Sequence, residues 1–431
     1  MTLGSLIVLG IERLACIRKG GDFFLQSRFR KVCMSDFKLT RRGFLKSSAS
    51  SIGGLVFLDR AFGSMTGALA KLGVPTPWYK GQVKTTYNYC DICPWRCGIV
   101  VQSVGNRVYK IDGNPKDPKS RGKLCARGQA GVSFLYDPDR LKQPMIRTGE
   151  RGEGKFKNAT WEEALDYAAQ KMKAIKDKYG PESMAFFGHT SGDFWFTDYL
   201  AQAYGSVNSA KASVTMCTAP REEASIITTG RSIGNHEPVD WEKAKCVVLI
   251  GTHIGEDARN TMMQDLATAR ANGAKLIVVD PRYSSAAMKA DHWLPIKPGT
   301  DTALLLAWMN VLIAENLIDR AFIDKWTDGF DKLAAHVKTF TPEWAAQITE
   351  LSADKIRETA RAFGQARPST VIVPGRHVIW YGNDSQRMRA VYILMGLTGS
   401  YGREGGLYFN KTPFLEEIPH PPFAAASGAG G

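Results

Sequence analysis

This sequence of 431 residues lacks the marks of several protein classes. The apolar stretches at residues 48–58 and 303–313 are both shorter than the roughly 20 residues that a membrane-spanning helix needs. No G-x-G-x-x-G sequence occurs, so the ordinary dinucleotide fingerprint is absent. No basic tract alternates with aromatic residues, so the net charge of +14 does not indicate a nucleic-acid partner.

Four of the eight cysteines form one array. Cys90, Cys93, Cys97 and Cys125 are spaced C-x2-C-x3-C-x27-C. Four thiolates suit either a [4Fe–4S] cluster or a structural zinc ion. Zinc ribbons usually pair two C-x2-C knuckles, and the second knuckle is missing here. The spacing therefore favours the cluster, while zinc and, less so, disulfides stay open.

The chain after this array alternates strand and helix patterns. Within the array, between Cys97 and Cys125, Gly105-Asn106 lies between two β-rich runs and predicts a hairpin. Cys125 is expected to open a helix near residues 126–135. Thr160-Trp-Glu-Glu163 then predicts a capping box at the start of a helix. Residues 183–187 read as a strand, and the alternation predicts α/β layers.

Residues 245–282 predict a βαβ unit. Two apolar strands end at Gly251-Thr252 and at Asp280-Pro-Arg282. Ligands of open parallel sheets bind at the carboxyl ends of strands. Asp280 could accept hydrogen bonds from a ribose or a guanine edge, or it could simply cap the next helix.

Residues 1–70 predict a presequence, although residues 1–33 show no clear pattern. Thr40-Arg41-Arg42-Gly-Phe-Leu-Lys46 resembles a twin-arginine export signal, and Met34 is the expected true start. The apolar run that follows and the small residues Ala68-Leu-Ala70 fit a cleaved leader. A chance arginine pair on a solvated segment is the alternative. The expected location is periplasmic, reached by export of the folded protein.

Tyr89 to Pro115, together with Gly-Lys-Leu-Cys-Ala-Arg-Gly at residues 122–128, resembles the cluster domain of the molybdopterin oxidoreductases, the dimethylsulfoxide-reductase superfamily. The resemblance implies that the four cysteines bind [4Fe–4S]. It also implies that Arg127, two positions after the fourth cysteine, lies between the cluster and a pterin.

A second region resembles the same superfamily. Asp280-Pro-Arg282 and residues 290–301 are similar to its molybdopterin-guanine-dinucleotide region. The implied cofactor is molybdenum bis(molybdopterin guanine dinucleotide). By this match one nucleotide is lined by Gly251, Thr252, Asp280 and Arg282, and its guanine is capped by Pro298, Gly299 and Asp301.

Cys217 lies in the segment Ala212–Pro220. A lone cysteine is more often a small buried hydrophobe than a ligand. The resemblance instead implies that Cys217 is the protein ligand of molybdenum, a metal that soft thiolates suit. Thr218 follows it, where formate dehydrogenases have His. Arg376 and His189 could face the metal, and Arg376 would suit a small anionic substrate, although a surface charge is the alternative.

The predicted fold class is α/β: a small β-rich [4Fe–4S] domain, followed by α/β layers with an inserted Rossmann-like parallel-sheet domain. The predicted boundaries are 83–150 for the [4Fe–4S] domain, 151–216 with 368–410 for a discontinuous substrate and pterin domain, 217–367 for the Rossmann-like domain, and 411–431 for a disordered tail.

Within the superfamily, the sequence is most similar to thiosulfate and polysulfide reductase catalytic subunits. The resemblance implies two partners, a multi-cluster ferredoxin-like electron-transfer subunit and a quinone-reactive membrane anchor. Reduction of arsenate, tetrathionate or nitrate stays open, as does a non-catalytic electron-transfer scaffold without molybdenum. Family members continue well beyond residue 410, so we expect this chain to be a fragment or to be completed by a second polypeptide.

Overall fold

A computed structural model of the chain describes residues 81–93, 95–188, 194–210, 219–233, 237–252, 254–256, 259–375 and 380–409, and the backbone of three strands between residues 16 and 33. The chain divides into two units, Met1–Gln82 and Val83–Gly431. Within these described ranges, no helix is both long and apolar enough to cross a membrane.

The first unit contains a three-stranded antiparallel sheet. Its strands, in spatial order, are β1 (Cys16–Lys19), β2 (Asp22–Ser27) and β3 (Arg30–Cys33). Because residues 1–33 show no clear sequence pattern, these strands were not expected. The predicted leader, with Met34, Arg41 and Arg42, lies outside the described residues.

The second unit begins with another antiparallel sheet, of order β4 (Val83–Tyr89), β5 (Gly98–Val104) and β6 (Arg107–Gly113). The hairpin predicted at Gly105-Asn106 joins β5 and β6, and Gly105 has a φ of +56°, which glycine adopts without steric cost. Two short helices, α1 (Ala126–Gln129) and α2 (Gly131–Leu135), replace the single helix expected near residues 126–135.

Four short strands and two α-helices follow among the described residues. The capping box predicted at Thr160 is confirmed: its Oγ1 accepts from the Glu163 N–H (3.1 Å), and its own N–H donates to Glu163 Oε2 (2.8 Å). A 3-10 helix occupies Pro181–Ser183, so the expected strand at 183–187 is shortened to its last two residues. The elements are β7 (Met145–Arg147), β8 (Phe156–Asn158), α3 (Trp161–Tyr179), β9 (Phe186–Phe187), α4 (Phe194–Tyr204) and β10 (Ser209–Ala210).

The rest of the chain builds a sheet covered by helices. In chain order its elements are α5 (Ala219–Thr229), β11 (Cys246–Ile250), α6 (Met263–Ala271), β12 (Lys275–Val279), β13 (His292–Leu294), α7 (Asp301–Ala314), α8 (Arg320–Trp326), α9 (Phe330–Val337), α10 (Pro342–Thr349), α11 (Ala353–Gln365), β14 (Thr370–Pro374) and α12 (Asp384–Leu397).

The sheet is parallel throughout, with strand order β13-β12-β11-β14. Both of its faces are buried, as parallel sheets require. Val248 and Ile277 contribute to a core with α7, α11 and α12, whereas Val247 and Leu249 contribute to a second core on the opposite face. The predicted βαβ unit and the fold class are confirmed.

Strand β14 lies beside β11 in this sheet. The sequence prediction assigned residues 368–410 to the discontinuous domain rather than to the Rossmann-like one. The residue pattern of a strand shows that it is apolar but does not show which strand it pairs with.

We expect Gly375→Ala to destabilise the protein. A Cβ at Gly375 would overlap the carbonyl oxygen of Gly251, and relieving a clash between two backbone segments costs roughly 1–3 kcal/mol. Gly396→Ala is the control, because the nearest atom to its added Cβ is 3.9 Å away and Ala favours a helix interior. Thermal unfolding should show a lower midpoint for Gly375→Ala only; equal midpoints would show that the two strand ends separate at little cost.

Candidate functional site

The first three cysteines of the array lie on a tight loop. The Cys90 N–H donates to the Cys97 carbonyl (2.8 Å), which closes the loop between β4 and β5. Inside it, the Arg96 N–H donates to the Cys93 carbonyl (3.2 Å), and Arg96 has a φ of +51°. Cys125 returns at the N-terminus of α1. All four are free thiols.

This loop packs directly against the parallel sheet. Trp95 and Cys97 are buried in the same core as Val247 and Leu249 of β11. The Cys97 Sγ lies 3.3 Å from the Thr261 Oγ1, on the segment that follows β11. The thiol loop is therefore built onto the sheet rather than attached through a linker.

Two polar contacts join the segment before Cys125 to helix α6, which flanks the parallel sheet. Gln264 Nε2 donates to the Ser120 carbonyl (2.9 Å), and Arg121 forms an ion pair with Asp265 (2.7 Å). Residues 264 and 265 belong to α6, which flanks β11 and β12. Both parts of the cysteine array thus contact one helix-and-sheet surface.

The four thiols differ in their electrostatic surroundings. Burial raises the pKa of Cys97, and the neighbouring Cys93, Cys90 and Cys125 thiolates add to this effect. Burial also disfavours the Cys125 thiolate, but the backbone N–H groups of Gly128 and Arg127 and the Arg127 charge outweigh it and lower the pKa of Cys125. The Cys97 thiol is thus held in its neutral form more strongly than the Cys125 thiol.

The donor set of the array consists of four cysteine sulfurs. Among the residues described here, no group of three or more His, Cys, Asp or Glu side chains is placed to hold one metal ion. A tetrahedral zinc site needs its four sulfurs about 2.3 Å from one ion. In a [4Fe–4S] cluster each cysteine binds a different iron, so the sulfurs lie farther apart. The four cysteine sulfurs are ligands that either group accepts.

The carboxyl edge of the parallel sheet collects polar groups. Gly251 and Thr252 follow β11, and Asp280 follows β12; Thr252 and Asp280 are each only 3% exposed. Gly375, after β14, donates to the Ile250 carbonyl (2.6 Å) and lies against Gly251. The strand ends are thus packed backbone to backbone, which brings three loops to one edge.

Glu256 joins two of these loops. Its carboxylate accepts from Arg282 (3.1 Å) and from the Ser285 N–H, and the Ser285 N–H, as the main cause, lowers the pKa of Glu256. Arg259 donates to the Thr252 Oγ1 (3.2 Å) in the same region. Sequence patterns give no sign of Glu256 or Arg259, because the loop at 251–259 has no periodicity.

A second polar group follows β13. Gly299, with a φ of +84°, lies against the side chain of Tyr381, and Asp301 begins α7. Asp301 is 7% exposed, and burial raises the pKa of its carboxyl, opposed by the charge of Arg387 at 3.9 Å. Arg387 has the helical spacing of the buried residues Val391 and Leu394 on α12. A charged residue among apolar ones at that spacing is the sequence signal that could have indicated the Asp301–Arg387 ion pair.

These two groups fit a polar nucleotide-type ligand at the edge of the sheet. Buried polar side chains normally have hydrogen-bond partners. The buried Oδ1 of Asn260, which follows Arg259, has no hydrogen-bond partner among the described residues. A ligand with donor groups would satisfy it. Gly251, Thr252, Asp280 and Arg282 lie together at this edge, and Pro298, Gly299 and Asp301 lie on the segment leaving β13.

Three predicted site residues, Cys217, His189 and Arg376, lie outside the described residues. The described helix α5 nevertheless begins at Ala219. Its Arg221 is buried, forms an ion pair with Glu237 (3.3 Å) and donates to the Pro374 carbonyl at the end of β14 (2.8 Å). The start of α5 is therefore fixed to the same sheet edge.

Comparison with known proteins agrees with this arrangement. Residues 83–137 match the molybdopterin oxidoreductase Fe4S4 domain, and residues 140–430 match the molybdopterin oxidoreductase family. The predicted [4Fe–4S] cluster and molybdopterin cofactor are thereby confirmed, in preference to zinc.

Individual relatives cover most of this chain. It is 36% identical over 345 residues to the thiosulfate reductase molybdopterin-containing subunit PhsA of Salmonella typhimurium, covering 80% of this chain and 45% of that protein. It is 32% identical over 417 residues to the dimethyl sulfoxide reductase DmsA of Escherichia coli, covering 86% and 50%. The chain thus spans about half the length of these relatives.

A solved structure shows the same fold. The acetylene hydratase from Pelobacter acetylenicus matches with a TM-score of 0.66 and 28% identity, over 76% of this chain and 45% of that one. Together with the cysteine loop and the polar sheet edge, the family matches lead to one conclusion: the chain belongs to the molybdopterin oxidoreductase family.

Proposed function

We propose that this chain belongs to the catalytic subunit of an exported molybdenum reductase that acts on thiosulfate or polysulfide. One observation carries the choice of substrate: the 36% identity to a protein named as a thiosulfate reductase subunit. The Cys-Thr-Ala-Pro-Arg-Glu segment at 217–222 resembles the ligand segment of this subgroup and supports the choice.

In this proposal the four cysteines, Cys90, Cys93, Cys97 and Cys125, bind the [4Fe–4S] cluster. Arg127, which contacts the Cys125 thiolate, provides a fixed positive charge on the side leading to the pterin. The packing of Cys97 against Thr261 then sets the distance between the cluster and the sheet edge. Electrons would pass from a partner subunit through this loop to the cofactor.

The cofactor would be the bis(molybdopterin guanine dinucleotide) form, with one nucleotide along the sheet edge. Thr252 and Asp280 would meet its polar groups, and Gly251, which has a φ of +55° and no side chain, would let it approach the backbone. Asp301, buried beside Arg387, would accept from the guanine, whose N–H groups are donors. When bound, the group supplies the two-electron chemistry at molybdenum.

We assign Cys217 as the protein ligand of molybdenum. The supporting observation is that α5 begins two residues later and is tied to the sheet edge through Arg221 and Pro374. Arg376, two residues after Pro374, would then pair with an anionic substrate, and His189 would be a further candidate on the substrate side.

Export and partners belong to the same proposal. The twin-arginine signal at Arg41-Arg42 would deliver the folded, cofactor-loaded protein to the periplasm. There it would pair with a multi-cluster ferredoxin-like subunit and a quinone-reactive membrane anchor. These partners follow from the resemblance to thiosulfate and polysulfide reductases.

A second candidate function is dimethyl sulfoxide reduction. It is favoured by the matches to DmsA of E. coli and of Haemophilus influenzae, each at 32% identity and covering 86% of this chain. The thiol at position 217 favours the first candidate, because the resemblance associates this ligand segment with sulfur-ligated members.

The cluster assignment predicts a selective loss of iron. Cys97→Ala should lose most of the bound iron and the paramagnetic signal of the reduced protein, because the cube would lose one of its four ligands. Cys246→Ala is the matched control: this thiol is also buried against the sheet, and burial raises its pKa to about 12, but it lies outside the array. Equal iron in both variants, measured by metal analysis after anaerobic purification, would refute the assignment.

The molybdenum assignment predicts a selective loss of activity. Cys217→Ala should lower thiosulfate or polysulfide reduction by a reduced viologen dye roughly 100-fold or more, because the metal loses its protein ligand, while the iron signal persists. Cys246→Ala should keep its activity. If the Cys217→Ala variant keeps full turnover, Cys217 is not the protein ligand of molybdenum. Wild-type turnover of dimethyl sulfoxide or nitrate, without turnover of thiosulfate or polysulfide, would instead overturn the proposed substrate.

Export predicts a change of location. Replacing both Arg41 and Arg42 by Lys should leave the uncleaved precursor in the cytoplasm, because the twin-arginine pathway reads that pair. Arg60→Lys, a charge-conserving change in the same leader, should be exported normally. Cell fractionation and N-terminal sequencing would decide. Periplasmic accumulation of the double variant at the wild-type level would contradict the assignment.

A further inference from the structure

Lys119 is a charged residue beside the cysteine array that the assigned site does not use. Its Nζ lies 4.0 Å from the centroid of the Trp95 ring. Trp95 stands between Cys93 and Cys97 in the sequence and is buried in the core beneath the loop. A lysine over an aromatic face is attracted by the negative face of the ring. The contact therefore holds a positive charge against the thiol loop.

The segment that carries Lys119 is fixed to the cysteine loop. Asp117 Oδ2 accepts from the Gly98 N–H (3.1 Å), the residue after Cys97, and from the Ser120 N–H (2.8 Å). A Cβ at Gly98 would lie only 2.7 Å from the Asp117 Cβ, so the two segments approach as closely as a glycine allows. The position of Lys119 thus depends on the same backbone that positions Cys97.

The surrounding charges leave Lys119 as the cation that faces the thiols from this segment. Lys119 is exposed as a residue, but its ammonium lies over the Trp95 ring; desolvation there lowers the pKa of Lys119, and the negative charges of Cys97, Asp117 and Cys93 oppose this shift. Arg96, on the loop itself, is paired with Asp91 at 3.1 Å. The Asp117 carboxylate is engaged by backbone N–H groups. A cluster of net negative charge would therefore have two cations beside it, Arg127 at Cys125 and the Lys119 ammonium over Trp95, between Cys93 and Cys97.

We propose that Lys119 raises the reduction potential of the [4Fe–4S] cluster by acting as a fixed positive charge beside Cys93 and Cys97. The inference rests on the assignment of the four cysteines as cluster ligands. Reduction adds one electron to the cluster and forms or breaks no bond, so the cluster becomes more negative. A nearby cation stabilises the reduced form more than the oxidised form, and net charge is one determinant of cluster potentials.

The test is a redox titration of the complete cofactor-loaded protein, followed by the paramagnetic signal of the reduced cluster. The variants are Lys119→Met, which keeps an unbranched stem over Trp95 but removes the charge, and Lys119→Arg, which keeps the charge. Lys116→Met is the matched control, because Lys116, like Lys119, is an exposed lysine of the same segment, and the contact with Trp95 is made by Lys119. Dithionite and redox mediators supply the electrons, so the result does not depend on the substrate.

At the potential where the wild-type cluster is half reduced, we expect Lys119→Met to lower the ratio of reduced to oxidised cluster by about three- to tenfold. A tenfold change corresponds to about 59 mV for a one-electron couple. Lys119→Arg and Lys116→Met should stay close to wild type. A Lys119→Met potential equal to the wild-type value would overturn the proposal, and so would equal shifts in Lys119→Met and Lys116→Met.

Two further results are informative. If Lys119→Met binds no iron, Lys119→Gln is used instead, because it replaces the ammonium with a neutral amide. The reduction potential of the cluster in that variant then tests the proposal in the same way. If the wild-type protein itself contains no iron cluster, the cluster assignment fails together with this inference. A normal cluster without thiosulfate or polysulfide turnover would instead refute only the proposed substrate and leave the role of Lys119 testable.

Discussion

The packing of the cysteine loop into the core of the parallel sheet is the constraint on which the rest of the structure depends. Trp95 and Cys97 occupy the core beneath β11, and Cys97 contacts Thr261 at 3.3 Å. Because protein cores are close-packed, the loop cannot shift without disturbing the strand beside it. A cluster bound to these cysteines is therefore held at a fixed position relative to the polar edge of the sheet.

The same sheet explains why the polar edge exists. The central residues of β11, β12 and β14 are apolar and buried on both faces of the sheet. Thr252 and Asp280 are the first side chains that can be polar after β11 and β12, and Gly375 allows the ends of β11 and β14 to touch. A buried sheet with polar ends can hold a large polar cofactor without exposing its core. The cysteine loop and the polar edge of the sheet therefore belong to one packed unit.

Much of this arrangement could be predicted from the sequence, because the decisive signals are local. The cysteine spacing, the hairpin at Gly105 and the capping box at Thr160 each depend on residues close together in the chain. The contacts of Lys119, Glu256 and Thr261 could not be predicted, since each joins segments that only the fold brings together. The neighbour of β14 was missed for the same reason. Trp161 and Leu165 of α3 are exposed, so helical spacing of apolar residues predicts a helix but not whether its apolar side is buried.

The central claim is that the iron–sulfur cluster and the molybdenum cofactor are bound to one rigid body, close enough to exchange electrons. Its most direct test is the microwave-power saturation of the Mo(V) signal in the complete protein, recorded with the cluster oxidised and then reduced. We predict faster relaxation of the molybdenum signal when the reduced cluster adds a neighbouring unpaired spin. A molybdenum signal that saturates identically in both states would contradict the account.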